Sequence, residues 1–246
     1  MTADFDIMMC RGSIFIPGHA FNQDNIRQIQ SGLFPDYMPV EKSGPSIDMR
    51  GQTIQISNPN WILESKGNDT EIVFLNGKID VLLKNRVCKY SMDNLSKMSD
   101  KIQAIAGDII NKFGMMSTRI AFAPTLVNHN IDQAYITAFA HNIFKGRKFM
   151  NEDIDSCEFS NVFRIMSDIG GENVKVNYLA SFSVVQIPFF HNNSIVLKDS
   201  LQMSIDINTF PSPEYRFPLE SVRDFFTKSP GMVNDFVLSY FDIKEA

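Results

Sequence analysis

The sequence predicts an α+β fold in which antiparallel sheet is backed by helices. Three observations support this prediction: an Asn76-Gly77 dipeptide between two apolar runs, strict alternation of apolar and polar residues over 201–208, and helical spacing of apolar residues over 95–113. The dipeptide is the preferred centre of a type I′ hairpin turn, because both positions need positive φ. Alternation with a period of two is typical of a strand with one wet face, and steps of three and four residues are typical of an amphipathic helix.

The composition suits a large buried core. The chain has 246 residues, 44% of them hydrophobic, including 21 Phe and 13 Met. A chain of this length can bury a substantial fraction of its surface. We therefore predict one compact unit over residues 1–246. Strands followed by a helix occur twice in the pattern, so a division into two similar halves, about 1–125 and 126–246, stays open.

The first half begins with strand and helix signals. Apolar residues over 7–16 predict a first strand, and residues 22–31 predict a short helix. Residues 34–39, which include two prolines, are predicted to form a loop. Residues 52–57 and 61–65 are predicted to be strands.

The hairpin at Asn76-Gly77 has a defined register. Folding the chain there pairs Phe74 with Ile79 and Ile72 with Val81. These apolar side chains then share one face, so the turn chemistry and the hydrophobic pattern agree.

A long helix follows the hairpin. It is predicted over 95–113, with Ser91 as its cap and Gly114 in the left-handed position that ends it. A short strand over 119–123 comes next, and Pro124 is expected to end it.

The second half is predicted to be a helix, a sheet and two more helices. Residues 131–145 fit a helical face between Asn130 and Gly146. The predicted strands are 163–169, a long one from Val174 to Val184, 195–197 and 201–208. Pro218 and Pro230 each suit the first position of a helix.

Cysteine usage and hydropathy predict a cytoplasmic protein. Cys10, Cys88 and Cys157 are odd in number and far apart, unlike a disulfide framework. The first residues lack the basic-then-apolar pattern of a signal peptide. No apolar run approaches the roughly 20 residues that a membrane-spanning helix needs, so no membrane association is expected.

The charge balance does not indicate nucleic acid. The formal net charge is −5, whereas affinity for nucleic acid comes from neutralising phosphates. The compact basic cluster at 145–148 is followed directly by acidic residues, which favours a solvated turn.

One set of polar residues resembles a nuclease pattern. Asp36 follows a proline, and Glu64 and Lys66 follow an apolar run, in the manner of a Pro-Asp and Glu-x-Lys core. In that chemistry two carboxylates hold Mg²⁺ and the lysine helps to activate water. The favoured interpretation is structural: Asp36 lies in a loop, and the stretch from Glu64 to Asp69 is the polar tip of a hairpin.

Other catalytic patterns do not occur. The sequence contains neither phosphate-binding glycine loop, no His-Glu-x-x-His and no Gly-x-Ser-x-Gly. His19, His129, His141 and His191 are isolated from one another. We therefore predict no cofactor or metal site, and a non-enzymatic protein is favoured over an enzyme.

Several short features follow one another in a characteristic order. They are Phe34-Pro35, Trp61 opening residues 61–65, an early hairpin, a helix begun by Tyr90, residues 119–122 and a strand ending at 205–208. Together they resemble a sporadically distributed family of bacterial proteins of similar length and uncharacterised function. The resemblance covers most of the chain and implies no catalytic residues.

The element order is also similar to that of SecB-like chaperone protomers, in which antiparallel strands precede a long helix. This similarity implies a protein that holds partners or clients on apolar grooves, as an antitoxin-associated holder would. The sequence therefore favours a binding or interaction protein with a protein partner or self-association as a homo-oligomer. The nuclease through Asp36, Glu64 and Lys66 and the chaperone-like holder are the alternatives.

Overall fold

A computed structural model describes residues 5–42, 45–47, 54–56, 60–85, 91–129, 131–143, 158–191, 194–213 and 216–241. The strands are β1 (Asp6–Phe15), β2 (Tyr37–Lys42), β3 (Pro45–Ile47), β4 (Ile54–Ile56), β5 (Asn60–Ser65), β6 (Thr70–Leu75), β7 (Lys78–Lys84), β8 (Arg119–Asn128), β9 (Glu158–Ile169), β10 (Glu172–His191) and β11 (Ser194–Thr209). The helices are α1 (Gln23–Leu33), α2 (Leu95–Phe113), α3 (Gln133–Ile143) and α4 (Leu219–Phe241).

Nine strands form one sheet in the order β2-β5-β6-β7-β1-β8-β11-β10-β9. Every neighbouring pair in it is antiparallel, and β3 and β4 form a separate antiparallel pair. The predicted fold class, antiparallel sheet backed by helices, is confirmed.

The order of elements repeats along the chain. From β1 to α2 the chain runs strand, helix, strands, helix, and from β8 to α4 it does so again. In the sheet, β1 and β8 lie side by side at the centre; β7, β6 and β5 follow outward on one side, as β11, β10 and β9 do on the other. Corresponding strands thus occupy equivalent places about the junction of β1 and β8. A common origin of the two halves stays a prediction.

The helices lie on one face of the sheet. α2 packs against β1, β7 and α4, and α4 packs against β8, β9 and β11. On β11 the residues that face the helices are buried, namely Leu201, Met203, Ile205 and Ile207. Gln202, Ser204 and Asp206 between them are partly exposed on the other face. The predicted one-sided strand is therefore confirmed from residue 201 to 207, but Asn208, predicted on the wet face, is buried.

The hairpin at Asn76-Gly77 has the predicted register, with Phe74 opposite Ile79 and Ile72 opposite Val81. All four apolar side chains are buried.

The predicted long helix is α2, and Gly114 ends it in the left-handed conformation at φ 59°. Ser91 instead precedes a 3-10 turn, Met92–Asn94, and makes no side-chain capping bond, so the predicted cap is wrong.

Two predicted boundaries in the first half need correction. The predicted loop at 34–39 ends early, because β2 begins at Tyr37 and pairs with β5. Pro39 is tolerated there because β2 is an edge strand, which leaves one side of its backbone without ladder bonds.

Pro124 does not end β8, which continues to Asn128. β8 pairs with β11 on both sides of the proline, at Phe122 and at Thr125, but not at Pro124 itself. The missing N–H therefore falls at an interruption of that ladder.

The second half also departs from the prediction. β9 begins at Glu158, before residue 163, and β11 runs unbroken through the predicted 195–197 and 201–208 strands. Asp132 caps α3, accepting a hydrogen bond from the Tyr135 backbone N–H at 2.7 Å. The predicted cap Asn130, the stop Gly146, the basic cluster 145–148 and Tyr90 lie outside the described residues.

Pro230 does not begin a new helix but lies inside the single helix α4. Proline has no N–H, so the carbonyl of Phe226 four residues earlier loses its helical partner. The Ser99 hydroxyl of α2 donates to that carbonyl at 2.6 Å, and Ser99 is buried. A contact between helices thus satisfies the group that the proline leaves open.

We expect Ser99→Ala to lower the free energy of unfolding by about 1–3 kcal/mol, since it leaves the buried Phe226 carbonyl without a donor. Urea denaturation followed by circular dichroism measures this. Ser96→Ala on the exposed side of α2 is the matched control and should change stability by less than about 0.5 kcal/mol. Equal stabilities of the two variants would contradict the role assigned to Ser99.

Among the described helices, none combines the length and the hydrophobicity that crossing a membrane requires.

Candidate interaction site

The hairpin of β10 and β11 extends beyond the rest of the sheet. The pairing of β9 with β10 stops at Ser183, and that of β8 with β11 stops at Leu201. Past these points, residues 185–191 and 194–200 pair only with each other among the described residues. We call this two-stranded extension the ribbon arm.

An apolar row runs from the core onto the ribbon arm. On β11 it is buried from Ile207 to Leu201 and continues, after Asp199, to Leu197 and Ile195. These last two side chains are 59% and 66% exposed and belong to neither of the apolar clusters that the described helices help to form. Val196 is exposed on the opposite face of the arm. The surface that holds helices over the core therefore continues past them into solvent.

Helix α3 covers the base of the ribbon arm. Its Ile136 and Ala140 are buried and form a small cluster with Val184 of β10, directly before the arm. Phe139, on the same helix, stacks on Phe241 of α4 with ring centroids 5.5 Å apart. The sheet face at the base of the arm is thus closed by an amphipathic helix.

Polar groups are paired at the base of the arm. Gln186 Nε2 donates to Asp199 Oδ1 at 3.2 Å across the two strands. Ser200 Oγ lies 3.1 Å from Nδ1 of His129. Burial lowers the pKa of His129, which favours the neutral imidazole near neutral pH. The base of the arm thus combines a His129 whose neutral form is favoured with the Asp199 carboxylate, which accepts a hydrogen bond from Gln186.

The predicted nuclease residues lie at the opposite end of the sheet. Lys66 Nζ and Asp36 Oδ1 form a 2.7 Å ion pair, with both side chains more than 70% exposed. The hydrogen bond from Lys66 and its charge lower the pKa of the Asp36 carboxyl. Glu64 is partly exposed on β5, opposite Met38 on one side and Glu71 on the other. Of the three predicted residues, the structure thus pairs Asp36 with Lys66. Glu64 lies opposite Glu71 of β6, and Glu71 forms an ion pair with Lys84 of β7.

The described residues hold no group of three His, Cys, Asp or Glu side chains that could bind a metal ion together. His19 packs edge-on against the ring of Phe21 at 4.6 Å. Cys10 is buried on β1, and burial raises the pKa of its thiol, so the reactive thiolate is disfavoured there. Cys88 and Cys157 lie outside the described residues.

The sequence matches none of the protein-family models and none of the curated proteins with which it was compared. The likeness to a sporadically distributed bacterial family and to SecB-like chaperones therefore stays a prediction.

Sequence reasoning did not identify the ribbon arm. The available signal was a change of pattern: from Val174 to Val184 all apolar residues except Leu179 share one parity, whereas Ile195, Val196 and Leu197 occupy both. Apolar side chains on both faces of a strand require cover on both faces. In this chain, the described helices do not supply that cover.

Proposed function

We propose that the protein is a non-enzymatic binding protein that holds a protein partner on the ribbon arm. The observation that supports this most directly is the exposure of Leu197 and Ile195 in the same row as the buried core of β11. Large apolar side chains that are exposed together on one face of a folded domain typically mark an interaction site.

The arm needs a partner for a second reason. A two-stranded ribbon without a covered apolar face is marginally stable in water. Residues 185–191 and 194–200 have no further strand beside them among the described residues. Contact with a partner would stabilise the ribbon by removing its apolar side chains from water, at about 25 cal/mol per Å² of apolar surface.

Helix α3 indicates what kind of surface fits. It covers the helix-facing side of the ribbon at Val184 with Ile136 and Ala140, which are four residues apart on one helical face. Leu197 and Ile195 extend that same side of the sheet. We therefore infer that the partner presents the apolar face of an amphipathic helix, laid on the arm beyond α3.

Removal of the arm tests the proposal. Residues 187–198 are replaced by Asn-Gly, which joins the paired residues Gln186 and Asp199 through a two-residue turn. We expect this variant to remain folded, because the described residues of the removed segment form strand pairs only with each other, and to lose a partner that the full chain captures repeatedly from its native host. Quantitative mass spectrometry of the captured proteins measures the loss.

A point substitution then measures affinity for that partner after purification. Leu197→Glu is expected to weaken binding at least tenfold by calorimetry, since a buried interface rejects an unpaired charge. Lys198→Gln, the neighbouring exposed position, is the control and should bind within about twofold of wild type. Capture that is equally strong without the arm would contradict the proposal. A Mg²⁺-dependent nuclease activity that Glu64→Ala abolishes would instead support the nuclease hypothesis.

A further inference from the structure

The outer edge of β9 is a second apolar surface, separate from the ribbon arm. β9 is 12 residues long, is the last strand of the sheet and pairs only with β10 among the described residues. Four large apolar side chains on it are exposed: Val162, Phe163, Ile165 and Met166. Phe163 and Ile165 point to the helix-covered face, opposite Tyr178 and Val176 of β10, and Val162 and Met166 to the other.

The two edges of the sheet differ in how well they are protected against pairing with a further strand. At the far edge, β2 is only six residues long and includes Pro39, and both features discourage a further strand from pairing. β9 contains no proline and no lysine. Its one basic residue, Arg164, is exposed but reaches away from the edge towards β10: Nε donates to Asn177 Oδ1 at 2.9 Å, and the guanidinium lies 4.3 Å from the ring centroid of Phe210. β9 therefore has the features of an edge strand that can pair with a further strand.

The first half of the chain shows how an equivalent edge is covered. β5 occupies the same place relative to the centre of the sheet as β9, and β2 covers it as an antiparallel strand. The described residues contain no such strand beside β9. Residues 144–157, between α3 and β9, lie outside the described residues.

We propose that β9 pairs antiparallel with β9 of a second copy of this chain, so that one sheet continues through both copies. The occupant of this edge must be apolar on both faces, and β9 has that pattern. A two-fold axis through Arg164, perpendicular to the sheet, places Val162 opposite Met166 and Phe163 opposite Ile165 of the second copy. Each exposed apolar side chain then meets an apolar side chain, and such cross-strand pairs stabilise a sheet.

The groove beside β9 has room for a side chain of the second copy. The groove between β9 and α4 measures about 600 Å³, and its apolar lining is Phe163, Ile165, Tyr178, Met232 and Phe236. In the proposed register, Phe163 of the second copy lies opposite Ile165, on this same face. Its ring would enter the groove beside Phe236. The two Arg164 side chains, which face each other at the axis, are each held over Phe210 of their own copy and away from the edge.

Sedimentation of the full chain tests the pairing. We expect wild type to be dimeric at micromolar concentration, and Ile165→Glu and Met166→Glu, on opposite faces of β9, each to weaken the dimer at least tenfold. Circular dichroism identifies the folded variants. Ile195→Glu on the ribbon arm is the matched control and should leave the dimer intact. Partner capture by the β9 variants should persist, so loss of the dimer and loss of the proposed function are distinguishable.

A cross-linking experiment tests the register. In a chain with Cys88→Ser and Cys157→Ser, Arg164→Cys lies on the axis and should form a disulfide-linked dimer on mild oxidation. Ser160→Cys, whose copies would lie more than ~20 Å apart at about 3.3 Å per residue, should not. A monomer at about 100 μM, a dimer that survives both glutamate variants, or a dimer lost with Ile195→Glu would each overturn the proposal, the first because no second copy then pairs with this edge.

Discussion

Phe226→Ala is expected to lower the free energy of unfolding by about 3–5 kcal/mol, the range for removing a buried aromatic side chain. Phe226 is 1% exposed in α4 and lies where both helices meet the central strands. Its ring meets Phe122 of β8 edge-on at 6.3 Å and Phe225 at 5.6 Å. Truncation therefore leaves a cavity between the two halves of the sheet and its helices, and the edge-on contacts are lost as well.

Chemical denaturation with an unchanged slope measures this difference in stability. Leu238→Ala is the control, because Leu238 is on the same helix and is 41% exposed. It should change stability by no more than about 0.5 kcal/mol, since surface substitutions away from special features have small effects. If Phe226→Ala cost as little as Leu238→Ala, the position of α4 on the sheet would be wrong.

Local patterns were sufficient for the parts of the fold that local physics determines. The Asn76-Gly77 turn sets its own register, and Gly114 ends α2 at positive φ because glycine has no Cβ to oppose it. Alternation over 201–208 identified the face that the helices cover. In each case neighbouring residues provide the whole physical cause.

Proline positions could not be predicted in the same way. Pro124 and Pro230 were expected to end a strand and to begin a helix, yet each lies inside its element. Pro230 is tolerated because Ser99, distant in sequence, donates to the carbonyl that the proline leaves open. No pattern within α4 contains that information.

The same limit of local patterns applies to the candidate sites. Asp36 and Lys66 were singled out by sequence and do meet, but as an exposed ion pair. The ribbon arm and the β9 edge were not singled out, because an apolar strand residue looks the same whether a helix of its own chain or another molecule covers it. The difference is visible only in the folded chain, where Leu201 is buried and Leu197, farther along the same strand, is exposed.

Gly12→Ala is expected to lower the free energy of unfolding by about 1–3 kcal/mol, as overpacking of a core does, and Gly12→Val by more. Gly12 faces the helices from the centre of β1. A Cβ there would lie 2.1 Å from Cγ2 of Ile102 in α2 and 3.0 Å from Cε1 of Phe226 in α4. Both neighbours are buried and cannot move without displacing their helices. The close approach of both helices to the sheet therefore depends on the missing side chain.

Gly107→Ala is the matched control, and its expected effect has the opposite sign. Gly107 lies inside α2, and a Cβ there would have its nearest neighbour, Leu219 Cδ1, at 3.5 Å, an ordinary contact distance. Alanine in a helix interior is favoured over glycine by roughly 0.5–1 kcal/mol, so this variant should be more stable than wild type. Combining Gly12→Ala with Ile102→Ala tests the cause directly, because removal of Cγ2 opens the space that the new methyl needs. The double variant should be more stable than the sum of the two single effects predicts, by about 0.5–3 kcal/mol, and strict additivity would mean that Ile102 is not what Gly12 accommodates.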